Sequence, residues 1–416
     1  MKIAQSNRSS GHERGSALAM ALLSVTVLAG FSAALLTVNV VGSREQTGEE
    51  ARTQARYVSQ AGLSEAMLRL KRGEDPNVGS AEAPMAFGGA RFWVEADVPS
   101  GNLTRMRATG FDGRAGARME LVVREVPNTI WRYGAFGREF LHMDSNARVD
   151  SYDSSLGTYA SQAVNGSGSS AYALGNGHVG SNGAVHLDQN AKVWGDAIAG
   201  PNHTTTVLGN AVVTGSTAPA SAPMDLPSIS VPTYTAYGSV SFNANTTIPS
   251  SNRTYANVVV GNNRTLTVNG PASLVMSNLT LRSGSRVVID PTNGPVEIYV
   301  IDSFVMNSNS QMYPTSYRPE HFSLKLLSDN VINPEVNVQL DTVDFDSNSS
   351  IHGTIYAPDA AITFDSNFEL FGAIIARSID IDSNSRFHFD EALTDALAMG
   401  DPTFETVCWR DIPLTD

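Results

Sequence analysis

From Ser16 to Val41 the chain reads SALAMALLSVTVLAGFSAALLTVNVV, apolar or small almost throughout and without a charge. As a helix rising ~1.5 Å per residue this stretch is about 39 Å long, enough to cross a bilayer with some tilt. Beyond it, Arg44 to Arg72 turns polar but keeps apolar residues at steps of three and four: Ala51, Ala55, Val58, Ala61, Leu63, Ala66, Met67 and Leu70. That spacing predicts a single stripe on a solvated continuation of the same helix, stopped by Gly73 and Pro76. The period then changes to two. Residues 91–99 and 104–126 alternate apolar and polar positions around Gly turns, which predicts a three- or four-stranded antiparallel sheet. A sheet of that size needs a packing partner, and the preceding helix is the natural one. Arg105, Arg107, Arg114 and Arg118 are read as solvated alternate positions of its strands.

Further along, alternation is joined by repetition. LDQNAKVWGDAIA (187–199), FDSNSSIHGTIYA (345–357) and FDSNFELFGAIIA (364–376) share an Asp, an Asn, a branched apolar residue, a Gly and a closing Ala. Shorter copies stand at 142–150, 207–215, 305–312 and 381–389. A unit too short to form its own core, returning every 17 to 19 residues, predicts a stacked architecture. Every second residue from Phe345 to Ala357 and, after a register step at Pro358–Asp359, from Ala360 to Ala376 is apolar or small, while Asp346, Asn348, His352, Thr354, Asp365, Asn367 and Glu369 fall on the other face. The expected fold is a parallel β-helix of about three short strands per coil, bent at the DSN and PDA turns. Asn tolerates the left-handed backbone that such bends require. The predicted ladder residues are Asp188, Asn190, Asp346, Asn348, Asp365, Asn367, Asp382 and Asn384, with structural roles. TAPASAPMDLPSISVPTY (217–234) reads as an insertion or strap that interrupts the stack. From residue 394 the pattern fades, and 394–416 is expected to cap the last coil.

Charge and composition narrow the classes. The net charge is −13, from 41 acidic and 28 basic residues, and no basic stripe follows residue 130, so nucleic acid is not an expected partner. Charged residues make up only 17%, a profile that suits a Gly- and Asn-turned β protein. Cys408 is the sole cysteine, which excludes an intrachain disulfide and any Cys-based zinc cluster. Lys2, Arg8 and Arg14 precede the apolar stretch, which places the N-terminus in the cytoplasm and the bulk outside. The stretch far exceeds the ~7–15 residue core of a secretory signal, so it is read as a retained anchor.

A short basic leader ending in RG, an uncharged helix opening SALAMALL and an amphipathic segment ending SQAGLSEAMLRL resemble the PilX-type minor pilins. The resemblance implies cleavage by a prepilin peptidase after Gly15, leaving Ser16 first. Major pilins of this kind carry Glu as the fifth residue after the cut, where this chain has Met20, a departure that favours an accessory subunit over a bulk one. YGAFG, GTIYAPDAAI (353–362), GAIIARSIDI (372–381) and FHFDEAL (387–393) resemble an uncharacterised β-helical domain found behind PilX-type N-termini. Implied partners are the inner membrane, other pilin subunits, the pilus assembly machinery and a surface polymer or host ligand.

The expected organisation is therefore mainly β. It comprises a leader (1–15), a long helix (16–73), a pilin-like sheet (85–127), a parallel β-helix (132–393) and a C-terminal cap (394–416). Asp341, Asp344, Asp346, Asp365 and Asp382 form a candidate column for Ca²⁺ or for acid–base work on a sugar. They recur with the coil as structural parts do, so no catalytic residue and no cofactor is expected, structural Ca²⁺ being the one candidate. His352 and His388 are placed on outward positions, as are Tyr356, Phe371 and Trp194, which would make a binding face. The function expected is a non-enzymatic accessory pilin on the inner membrane and then the cell surface. The competing readings are a membrane-anchored polysaccharide-active enzyme and a self-polymerising scaffold.

Overall fold

The computed structural model describes residues 13–100, 102–126, 129–166, 168, 171–327, 332–333, 338–339, 343–397 and 403–414. It is mainly β, with one long apolar N-terminal helix, a small antiparallel sheet and a large parallel sheet. The chain divides into two compact units, Met1–Val126 with Asp401–Asp416, and Pro127–Gly400.

In the smaller unit, one helix runs unbroken from Glu13 to Lys71. Residues 20–50 along it are exposed, whereas Ala55, Val58, Leu63 and Ala66 are fully buried. Val58, Leu63 and Ala66 pack on Phe92, Val94, Met106, Ala108, Met119, Leu121 and Val123 of the antiparallel sheet. The approach is close because Gly110 has no side chain: a Cβ there would lie 2.6 Å from the Ala55 carbonyl oxygen. Ser59, beside it, donates to the Ala117 carbonyl at 2.9 Å and ties the helix to the sheet. The sheet has five strands, in the order Met85–Phe87, Ala90–Ser100, Leu103–Asp112, Ala115–Val126 and Thr403–Ile412.

That fifth strand corrects the expected cap. Thr403–Ile412 pairs antiparallel with Ala115–Val126, Thr403 opposite Val126. The alternation is broken by a register shift between Thr406 and Cys408, which throws Val407 outward, so the segment does not read as a strand. The larger unit is thus inserted into a connection of the smaller sheet. Of the four arginines read as solvated, Arg114 is exposed but the other three are paired. Arg105 pairs with Asp97, Arg118 with Glu95, and Arg107 and Arg410 both reach Glu120, whose residue is 4% exposed. Burial disfavours the Glu120 charge, but the two guanidinium groups outweigh it and hold the carboxyl below its usual range.

In the larger unit every pairing within the main sheet is parallel, and the order of strands departs from the order of sequence. Val240–Phe242 pairs with Arg253–Val260, then Ala272–Leu281, Val296–Met306, Phe322–Leu326, Ser350–Phe364 and Glu369–Ile381 follow in turn. The next strand in space is the first in sequence: Ala135–Met143 lies against Glu369–Ile381, with Ile379 opposite Leu141. Ala184–Leu187 and Thr205–Val207 continue from there to the other end. The chain therefore enters mid-stack, winds to one end, crosses by the proline-rich segment to the far end, and winds back until the last rung meets the first. One continuous core fills the interior, including Phe304, Phe345, Phe364, Phe368 and Phe387.

The corners form a column. Asn263, Gly284, Asn309, Asn348, Asn367, Asn384, Asn146, Asn190 and Gly209 all have φ between 54° and 70°. The backbone N–H of one corner donates to the next rung: Asn309 to Ser347, Asn348 to Ser366, Asn367 to Ser383, Asn384 to Ser145 and Asn146 to Gln189, at 3.2–3.4 Å. A β-branched residue at such an angle costs about 1–2 kcal/mol, while Gly adopts it freely. Asn367→Val is expected to lower the stability of the protein by roughly that amount in urea unfolding, and Asn367→Gly to change it by less than about 0.5 kcal/mol. Equal losses in the two variants would mean that the side chain, not the backbone angle, sets the cost.

Candidate functional site

Three regions carry side chains of functional interest. The first is the helix. Gly15 and Ser16 lie within Glu13–Lys71, while the rest of the expected leader, residues 1–12, lies outside the described residues. Met20, Phe31 and Leu36 are 73%, 67% and 65% exposed, and this part of the helix is long and apolar enough to cross a membrane.

The second region is the corner column, where the expected ladder residues fall. Asn190, Asn348, Asn367 and Asn384 take the left-handed backbone. Asp382 accepts from its neighbour Ser383 N–H at 2.6 Å and from the Ser366 hydroxyl of the next rung at 2.9 Å. Asp144 does the same with Ser145 N–H and the Ser383 hydroxyl, and Asp346 accepts from Ser308. Asp188 instead lies between His142 and His186, at 3.4 and 3.2 Å. Burial, with Asp346 and Asp344 nearby, raises the Asp365 carboxyl above its ordinary range. Asp341 lies outside the described residues. Ca²⁺ needs six to eight oxygens around one point, and among the described residues no group of three or more His, Cys, Asp or Glu side chains could hold a metal ion. Asp144, Asp346 and Asp382 serve Ser hydroxyls and amides instead, so the described carboxylates do not fit the calcium expectation.

The third region is the outer surface of the stack, where the outward positions are not open. His388 is 5% exposed and hydrogen-bonded to Asp150, which also accepts from the Tyr159 hydroxyl at 2.8 Å and the Ala173 N–H at 3.1 Å. His352, Phe371 and His388 stand opposite one another on successive rungs, ring on ring at 4.1 and 4.8 Å, and Tyr159 covers His388 at 3.8 Å. Burial pushes His352 down to about 3. Asp390, fully buried below this group, takes Ser154 N–H and Ala392 N–H on one oxygen, leaves the other without a partner, and is pushed up to about 6 by burial. The expected binding face of Tyr356, Phe371 and Trp194 is thereby corrected. Tyr356 is 6% exposed with its hydroxyl donating to the Pro227 carbonyl, and Trp194 is half-buried against Tyr172 at 4.8 Å.

The cover over Tyr356 is the proline-rich strap. Met224, Leu226 and Ile229 pack on Trp131, Phe136, Ile375, Phe389 and Leu393, and the Asn182 side-chain amide exchanges two hydrogen bonds with the Met224 backbone. Beside the strap opens a cleft of about 580 Å³. Its floor is set by the register of three rungs: Glu297, Ser323 and Thr354 stand in one row, Tyr299, Lys325 and Tyr356 in the next. Lys325 donates to Glu297 at 2.7 Å and to the Tyr299 hydroxyl at 2.9 Å. Burial works against its charge, but these bonds outweigh it and hold the ammonium above its ordinary range. Glu320 lines the same cleft, paired with Arg318 through one oxygen while the other is buried and unpartnered. Sequence reasoning missed this group. The only available signal was that outward positions here were aromatic or charged where others are Ser, Thr or Asn.

Two of the shifted groups of the outer face, His352 and Asp390, pull in opposite directions with pH. His352 takes up its proton more readily in the unfolded chain, so its contribution is whole above about pH 6.5 and is lost as pH falls toward 3. Asp390, with a raised value, favours folding when protonated; that contribution is full below 3.8 and lost as pH rises through about 6. Asp390→Asn mimics the protonated acid and keeps both accepted bonds. It is expected to stabilise the protein by up to about 3 kcal/mol at pH 8 and by little at pH 4. Chemical denaturation at both pH values checks this; equal effects at both would contradict it.

A family model described as a domain of unknown function, DUF7305, matches residues 255–396, the arm of the stack that winds back from the far end. No curated protein matches the chain. Among solved structures, the competence-associated pilin ComZ from Thermus thermophilus is similar at a TM-score of 0.30 and 12% identity, over 87% of this chain and 97% of that one.

Proposed function

We propose that this chain is a non-enzymatic, accessory pilin-like subunit that is anchored in the bacterial inner membrane by its N-terminal helix and carries a β-helical head for assembly or adhesion at the cell surface. One observation carries the reading: a single helix is bare and apolar over its first half and packed on its own small antiparallel sheet over its second. Such a helix has two solvents. Exposed leucines and valines are stable in lipid, and after extraction the same surface can bury itself only among equivalent helices, which supports pilin subunits and their assembly machinery as partners. Gly15 and Ser16 are the processing pair in this reading, cleavage freeing the apolar end for packing.

The head's reading as a β-helix rests on the parallel, in-register rungs and the single column of left-handed corners. Asp346, Asp382 and their equivalents are engaged in joining rung to rung, which supports structural rather than catalytic roles for the repeat residues. A rigid tube with few open strand edges suits an extracytoplasmic protein that has no disulfide to rely on.

Replacing Gly15 with Leu is expected to leave an unprocessed precursor in the membrane fraction and remove the protein from the surface, read by intact mass and by surface labelling. If the wild-type chain keeps its first fifteen residues, or Gly15→Leu is trimmed and displayed as before, the pilin reading fails.

A further inference from the structure

We infer that the two end rungs of the stack bind a second copy of this chain, one end of each molecule seating on the opposite end of the next. At the first end, Thr205–Val207 pairs among the described residues only with Ala184–Leu187, and Val212–Val213 only with Lys192–Val193. At the far end, Val240–Phe242 pairs only with Arg253–Val260, and Thr246–Ile248 only with Thr265–Asn269. Strand length does not account for this, since Lys192–Val193 is as short as Val212–Val213 and is paired on both sides. The core is open at the same two places. Val207 is the register partner of the fully buried Leu187, yet it is 40% exposed, and Leu208 and Val212 are exposed beside it. Ala211, Val213, Val240 and Phe242 pack on the core but are only half-buried, and all four lie on the end rungs.

Exposed strand edges are normally blunted by charge, lysine above all. Charge is missing here: from Pro201 to Asn252, a span that holds both end rungs, Asp225 of the strap is the only Asp, Glu, Lys or Arg, against 17% over the whole chain. The two ends also complement each other. Val207 and Phe242 are the termini of one inward column that runs through Met143, Phe364 and Met306. Every pairing within this sheet is parallel, so a second copy displaced along the stack meets the end as a next rung would, with Val207 of one molecule over Phe242 of the other. A two-fold arrangement of like ends would oppose the two windings and set their strands antiparallel, a pairing this sheet does not use. An extended peptide would cover one edge and leave the core uncovered. One junction of the required kind already exists inside the molecule: Glu369–Ile381 seats on Ala135–Met143 with no turn joining them. Unlike ends joined in this way leave a fresh end on each copy, so the contact propagates instead of closing. It uses the larger unit alone and goes beyond the pilin reading without resting on it.

The test is disulfide trapping of the full-length chain in detergent, in a Cys408→Ser background. Thr206→Cys and Ser241→Cys stand on outward positions of the two end rungs. The whole stack separates them within one chain, so a bond between them joins two molecules. Adjacent parallel strands hold Cα atoms about 4.8 Å apart, within disulfide reach. Equal amounts of the two single-cysteine chains, one carrying a mass tag, are mixed and mildly oxidised. The 206–241 bond is expected to exceed the 206–206 and 241–241 bonds together severalfold, where chance collision would make them equal. Chains carrying both cysteines are expected to give a ladder of species beyond the dimer. The inference is overturned if no cross-link forms, if the mixed bond does not exceed the like-with-like bonds, or if the ladder stops at the dimer. None of these outcomes bears on processing at Gly15, so this contact and the pilin reading fall separately.

Discussion

The larger unit depends on the pairing of its first long strand with its last. Ala135–Met143 lies between Glu369–Ile381 on one side and Ala184–Leu187 on the other. Some 240 residues separate the two halves of that contact. It joins two arms, each a parallel ladder wound from opposite ends, into one core. Without it each arm would present another open edge, and inward residues such as Leu141, Met143, Ile379 and Ile381, all fully or almost fully buried, would meet water. Each such side chain contributes roughly 1.5–3 kcal/mol when buried. The closure entropy of so long a loop grows only slowly with length, so burial prevails. The cost falls on the rate: a contact of this range forms late, and folding is expected to be slow.

The strap follows from that closure. Once the chain has wound to one end, it must travel the height of the stack to begin again at the other. Ten rungs spaced ~4.8 Å apart span about 43 Å, and the chain between Val213 and Val240 reaches about 90 Å when extended. There is length to spare, and the proline-rich segment uses it to cover outward-facing Phe136 and Ile375. This explains burial on both faces of those strands. It also explains where the cleft lies: the apolar cover stops, and the register brings Glu297, Ser323 and Lys325 to the surface beside it.

Much of this was legible in the sequence. A period of two with a recurring phrase pointed to the large parallel sheet and to its inward residues, because alternate residues of a strand face one side. The stripe from Ala51 to Leu70 identified the packed half of the helix, though Ser59 and Gly110, the points of closest approach, lie off any hydrophobic pattern. The order of the rungs was not legible, since copies of one phrase stack equally well on any other copy. Nor was Thr403–Ile412, whose bulge hides its period and whose partner lies far upstream. Periodicity also separates inward from outward only with respect to one core. It could not tell that His388, Phe371 and Tyr356 lie beneath a second layer, and so the buried Asp150–His388 pair and the Glu320 cleft stayed invisible.

The stacking order can be tested by cross-linking across the junction. Asp380 and His142 are register partners whose side chains touch at 2.7 Å, and adjacent parallel strands hold Cα atoms at about 4.8 Å, within disulfide reach. In a Cys408→Ser background, cysteines at 142 and 380 are predicted to join under mild oxidation in the folded protein. Cysteines at 142 and 363, one rung further away, are predicted not to. An absent 142–380 bond, or equal yields for the two pairs, would mean that the first rung does not close on the last.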